Sequence, residues 1–145
     1  MATERTANVT WQGSLTGGSG TIEKVGSGAF GPLDVTWASR AEEPDGQTSP
    51  EELIAAAHAA CFAMALSHEL GQAGARAPDQ LDTSATVTFD PGAGITKVAL
   101  AVRGRVPGLD DGTFRQAAGA AKENCPVSQA LAGVGEITLD AELTG

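Results

Sequence analysis

The chain has 145 residues, 9 basic against 18 acidic side chains, a formal charge of −9, and 41% hydrophobic residues. That length fits one domain, residues 1–145, burying about 70% of the surface its unfolded chain would expose, and the hydrophobic share excludes compositional disorder. No cluster of Lys and Arg supplies a nucleic-acid footprint, and the acidic balance opposes binding to anionic membranes.

The first forty residues read as strands. Asn8–Gln12 alternates, with Val9 and Trp11 on one face, and Thr16-Gly-Gly-Ser-Gly20 is a turn cluster that predicts a hairpin returning over Thr21–Val25. After a second turn at Gly26–Pro32, Leu33 to Arg40 alternates again, with Leu33, Val35 and Trp37 on one side. Ala41–Thr48 is a polar loop. Ser49-Pro50-Glu51-Glu52 is a helix start, with Ser49 as N-cap, Pro50 at the first helical position and an acid three residues after the cap. The helix is predicted to end near Gly71 or Gly74. Two strands follow between Gln80 and Arg105, hinged at Asp90–Gly94. Asp110 or Asp111 caps a helix over Gly112–Glu123. Asn124-Cys125-Pro126 interrupts it, and a short helix runs on to about Leu131. Glu136–Leu143 is a closing strand. The order β-β-β-α-β-β-α-α-β predicts an α+β fold with largely antiparallel sheet.

The longest apolar run, Leu53 to Leu66, spans 14 residues, too short for a bilayer. Met1-Ala-Thr-Glu-Arg5 lacks a signal peptide's basic start and apolar stretch, so a cytoplasmic location is expected. Between Ala55 and Ala65 the central helix has no charged face. A helix apolar all round is buried all round. Six aromatic residues in the whole chain give little with which to enclose it (2 Trp, 4 Phe and no Tyr). The smooth alanine surface suits a second copy of the same helix across a two-fold axis; the alternative is a helix lying under the chain's own sheet.

Two cysteines, Cys61 and Cys125, form neither a small disulfide framework nor a C-x-x-C pair, and in a reducing compartment they begin as thiols. Cys61 lies on the apolar helix, where a cysteine commonly serves as a small hydrophobe. Cys125 precedes Pro126 at a helix start, where unpaired N–H groups favour a thiolate, although an inert half-buried thiol fits there as well. As a pair they suit one chemistry: a thiolate oxidised to a sulfenic acid, then captured by a neighbouring thiol.

Thr48-Ser-Pro-Glu-Glu-Leu-Ile-Ala-Ala-Ala-His-Ala-Ala-Cys-Phe-Ala-Met-Ala-Leu-Ser67 resembles the central-helix motif of the OsmC/Ohr hydroperoxide reductases. Asn124-Cys-Pro-Val-Ser-Gln-Ala-Leu131 resembles their second-cysteine motif, and Ile95–Leu100 and Glu136–Asp140 resemble further OsmC segments. The resemblance implies an intertwined homodimer, with sheets wrapped around two long central helices. It implies reduction of organic hydroperoxides, and to some degree of hydrogen peroxide, in oxidative or osmotic stress defence. It also implies Cys61 as the peroxidatic and Cys125 as the resolving residue, with an Arg and a Glu that organise the thiolate. Glu51 matches the glutamate. The early Gly-rich loop, which carries the arginine in Ohr proteins, has none here, whereas Arg40 stands where OsmC proteins carry theirs, at the end of the third strand. The match is therefore to the OsmC subfamily.

Glu51 and Cys61 lie ten residues apart on one helix, about 15 Å of rise, so Glu51 cannot touch its own Cys61. An antiparallel partner helix can bring the other chain's Glu51 there. In the implied mechanism Arg40 stabilises the Cys61 thiolate and the departing oxygen, and Glu51 holds the guanidinium by paired hydrogen bonds. On their own residues Arg40 reads equally as a solvated strand end and Glu51 as a first-turn acid favoured by the helix dipole. No cofactor is expected. An external dithiol, of lipoyl type in the Ohr branch, reopens the disulfide.

Other signals point elsewhere. Gly26-Ser-Gly-Ala-Phe-Gly31 matches a dinucleotide fingerprint but precedes a strand, not a helix. His58, three residues before Cys61, reads as a buried hydrogen-bonded histidine more readily than as half of a Cys–His pair, and the two alone make a poor metal site. Phe62 and Met64 are candidate walls of an apolar peroxide pocket. A redox sensor, or a binding dimer with the same cysteines, remains the competing function.

Overall fold

The computed structural model describes residues 1–145. It has six strands and four helices: β1 (Val9–Gln12), β2 (Ser19–Ile22), β3 (Leu33–Val35), α1 (Trp37–Ala41), α2 (Pro50–Gln72), β4 (Gln80–Asp90), β5 (Gly94–Arg105), α3 (Asp111–Asn124), α4 (Pro126–Ala130) and β6 (Glu136–Leu143). The mixed α+β class is as expected. The chain divides into two compact units, Met1–Leu53 and Ile54–Gly145.

The first unit holds an antiparallel sheet in the order β1-β2-β3, with Trp11 opposite Gly20 and Ile22 opposite Leu33. A Cβ at Gly20 would lie 2.7 Å from the Trp11 ring, so the close approach of strand and indole requires glycine. Here the sequence expectation needs correcting. The alternation through Leu33, Val35 and Trp37 extends the third strand to Arg40, but β3 stops at Val35. Thr36 then starts a helix: its hydroxyl accepts from the Ser39 amide and the Ser39 hydroxyl accepts from the Thr36 amide, at 3.0 Å each. This reciprocal cap satisfies two amides that a helix start otherwise leaves open, and it outweighs the apolar alternation. The Ser39 hydroxyl also meets the Thr48 carbonyl at 2.8 Å, tying α1 to the segment before α2. Arg40 thus sits in the last turn of a short helix.

The start of α2 is as read from the sequence. The Ser49 hydroxyl accepts from the Glu52 amide at 3.1 Å and Pro50 opens the helix. Gly74, at φ 79°, ends it, with the Ala75 amide returning to the Leu70 carbonyl at 3.0 Å.

In the second unit β5 is the central strand, antiparallel to β4 and parallel to β6. Val98, Leu100 and Val102 alternate along β5 and are buried, as the two-residue period requires. Phe62, Leu66 and Leu70 of α2, at every fourth residue, share one cluster with them and with Phe114, Ala117, Ala118 and Ala121 of α3. Each such Leu, Val or Phe contributes about 1.5–3 kcal/mol by leaving water. Thr83 on β4 donates to the Ala59 carbonyl at 3.2 Å, and Asn124 donates to Glu69 at 3.1 Å, so α2 is held from both sides.

By length and composition α2 is apolar enough to cross a membrane, but its buried stripe is part of this core, as in the core helix of a folded domain. The expected burial on all sides is not met within one chain. His58, Phe62, Leu66 and Leu70 are buried, whereas Ala56, Ala57, Ala60 and Met64 remain exposed.

Candidate active site

The second unit brings the two cysteines together. Cys61 projects from the middle of α2 and is partly exposed; Cys125 is completely buried where α3 gives way to α4. The Cys125 amide still bonds the Ala121 carbonyl of α3 at 2.9 Å, while the residue serves as N-cap of α4, with Pro126 in the first turn. One residue therefore closes one helix and opens the next. Its sulfur is aimed at the first amides of α4, the end of a helix that attracts negative charge.

Both cysteines are free thiols and neighbours, each shifting the other's proton affinity. Burial pushes the Cys61 thiol up, the contact with Cys125 pushes it further, and the Val127 amide opposes both. Burial also pushes Cys125 up, but four contacts outweigh it and hold the thiol below its ordinary value: Cys61, the Ser128 amide, the Ser128 hydroxyl and the Val127 amide. Cys125 makes no side-chain cap bond to α4, as suits a thiol, which is a weak acceptor.

His58, one turn before Cys61, is completely buried, and its Nε2 lies 2.7 Å from the Ser128 hydroxyl. Its Nδ1 has no partner. Burial lowers the pKa of this imidazole. The reading of His58 as a buried, hydrogen-bonded histidine describes its position, but the partner, 70 residues away and three residues after Cys125, was not visible in the sequence. No group of three or more His, Cys, Asp or Glu side chains is placed to hold a metal ion.

In the first unit Arg40 and Glu51 form a fork. Arg40 Nε donates to both Glu51 oxygens, at 3.0 and 3.1 Å, and Nη2 donates to Oε2 at 2.8 Å. The Glu51 side chain is 7% exposed and that of Arg40 32%, so the carboxylate is the more deeply buried partner. Phe62 belongs to the core of the second unit, completely buried, whereas Met64 is 72% exposed. Two residues on, a helix has turned by roughly 200°, so the two side chains leave on different faces.

The family follows from comparison as well as from motif. Residues 43–140 match the model of the family described as OsmC-like protein. The chain is 44% identical over 146 aligned residues to Peroxiredoxin OsmC of Escherichia coli (strain K12), covering 99% of each protein. Among solved structures it resembles the organic hydroperoxide resistance protein OhrB of Bacillus subtilis, with 29% identity and a TM-score of 0.65 over 96% of this chain and 98% of that one. It also resembles a putative organic hydroperoxide resistance protein from Vibrio cholerae O1 biovar eltor, solved with captopril in one of its active sites. That match has 27% identity and a TM-score of 0.68 over 100% of this chain and 95% of the other. The chain belongs to the OsmC-like family.

Proposed function

We propose that this chain is a cysteine-based peroxidase that reduces organic hydroperoxides, and hydrogen peroxide less well, in defence against oxidative stress. The functional unit is the whole chain, residues 1–145, in the cytoplasm. Support for the reaction class comes from the names of its relatives, Peroxiredoxin OsmC and the organic hydroperoxide resistance proteins. The observation that carries the residue assignment is the pair of neighbouring free thiols, one partly exposed and one completely buried.

Exposure supports the division of roles between the two cysteines. A peroxide can approach Cys61, whereas the Cys125 sulfur is closed to solvent. Cys61 as thiolate attacks the O–O bond, its sulfur takes one oxygen, and the other leaves as alkoxide and collects a proton to become alcohol. Cys125 as thiolate then displaces hydroxide from the Cys61 sulfenic sulfur. An S–S bond forms, an S–O bond breaks, and the hydroxide leaves as water. One hydroperoxide and two thiols yield one disulfide, one alcohol and one water. An external dithiol, of lipoyl type in this reading, reduces the disulfide.

Within one chain burial raises Cys61, so the first step needs a cation near it. The Arg40–Glu51 fork supplies one, contributed by a second copy whose α2 packs antiparallel on the exposed Ala56, Ala57, Ala60 and Met64 face. Steady-state consumption of cumene hydroperoxide with dihydrolipoamide tests the reading. Many turnovers per chain, lost in Cys61→Ser, are expected; oxidation that stops after one equivalent despite excess dithiol would instead make the chain a sensor.

A further inference from the structure

The proton on His58 decides where the Ser128 hydroxyl points. A neutral imidazole carries one N–H, and Nε2 has a partner while Nδ1 has none. A buried N–H without an acceptor costs the full desolvation of that group. The proton therefore sits on Nε2 and donates to Ser128 Oγ at 2.7 Å. With its oxygen accepting from the ring, the hydroxyl has its own hydrogen left to give, and Ser128 is the third residue of α4, in the turn that Cys125 caps.

We infer that Ser128 is a catalytic residue of the second chemical step, donating its hydroxyl hydrogen to the Cys125 thiolate, and that His58 is the positioning residue that turns that hydroxyl toward the sulfur. The inference rests on the reading of Cys61 and Cys125 as a peroxidatic and resolving pair. The contact tightens when the sulfur ionises and becomes a strong acceptor.

The device acts in two places. In the forward step it raises the thiolate fraction of Cys125 that attacks the Cys61 sulfenic acid. In the regenerating step an external thiolate attacks the partly exposed Cys61 sulfur, the S–S bond breaks, and Cys125 leaves with the electron pair. A lower-pKa thiol leaves faster. The groups that set the Cys125 sulfur are Cys61, Ser128 and the Val127 amide, with His58 acting through Ser128. The first step runs on the Cys61 thiolate and gains nothing from Ser128.

Rapid-mixing, single-turnover oxidation of the full chain separates the steps. Sulfenic acid is trapped with dimedone, disulfide is counted by intact mass, and the pH is varied. In Ser128→Ala the sulfenic acid should form no more slowly than in the wild type. Disulfide closure should be roughly threefold slower near neutral pH, tenfold less thiolate being partly offset by its greater nucleophilicity, with the pH midpoint moved upward by about one unit. Ser128→Thr, which keeps the hydroxyl, should restore both, and His58→Phe should shift the midpoint in the same direction. Closure in Ser128→Ala at the wild-type rate and midpoint would overturn the inference. A wild-type chain that forms no disulfide would instead overturn the underlying cysteine assignment.

Discussion

Arg40 meets the Glu51 carboxylate with three N–H···O bonds of 2.8 to 3.1 Å, the shortest from Nη2. A planar guanidinium gripped along one edge cannot rotate, so its charge is held in a fixed orientation. An ammonium has one charged tip and cannot be held in this way. Arg40→Lys is expected to lower kcat/KM for cumene hydroperoxide by about a hundredfold with the fold retained, as measured by steady-state kinetics beside circular dichroism. Glu51→Gln should act in the same direction but more weakly. Unchanged kinetics in Arg40→Lys would remove the fork from the mechanism.

The exposed alanine face of α2 makes a prediction about assembly. Ala57 and Ala60 are open in a single chain, as is Met64 at 72% exposure. If α2 packs against its copy as proposed, Ala60→Glu puts like charges into that contact and is expected to give monomers in sedimentation equilibrium with peroxidase activity largely lost. A wild-type chain already monomeric at micromolar concentration, yet fully active, would contradict the shared site.

Gly104 is a packing requirement rather than a hinge. A Cβ there would lie 2.5 Å from Cε1 and Cζ of the fully buried Phe114 ring. Gly104→Ala is expected to cost about 1–3 kcal/mol in urea denaturation, the range for overpacking a core. A loss below half a kcal/mol would mean that α3 shifts freely on the sheet.

His58 gives a pH dependence of stability with a definite sign. Burial lowers its pKa in the fold from 6.5. Between that value and the lower folded one, the unfolded chain binds a proton that the folded chain does not, so stability falls as the pH drops below about 6.5. Asp110, held low by the Thr113 amide, shows its loss only further down, as the pH falls below 3.8 toward its folded value. Urea midpoints between pH 7.5 and 5 should therefore decline in the wild type and flatten in His58→Phe; equal slopes would show that other groups set the decline.

Much of this architecture was legible in local signals. Ser49-Pro50 fixed the start of α2, Asp90–Gly94 the hairpin of β4 and β5, and Cys125-Pro126 the break between α3 and α4. What escaped was decided at longer range or by competition. The alternation up to Trp37 argued for a strand, and only the reciprocal hydrogen bonds of Thr36 and Ser39 turned the chain into α1 and moved Arg40 onto a helix. The parallel pairing of β5 with β6 leaves no mark on either strand. The Ser128 partner of His58 lies 70 residues away on a five-residue helix, where no periodicity points to it. Cys61 and Cys125 could be proposed as a pair from chemistry and resemblance; their proximity comes from α2 and the start of α4.

The most direct measurement is peptide mapping by mass spectrometry after one equivalent of cumene hydroperoxide. A single intrachain disulfide between Cys61 and Cys125, with both thiols lost together, is the result predicted. Two thiols surviving oxidation, or Cys61 advancing to sulfinic acid while Cys125 stays reduced, would contradict it.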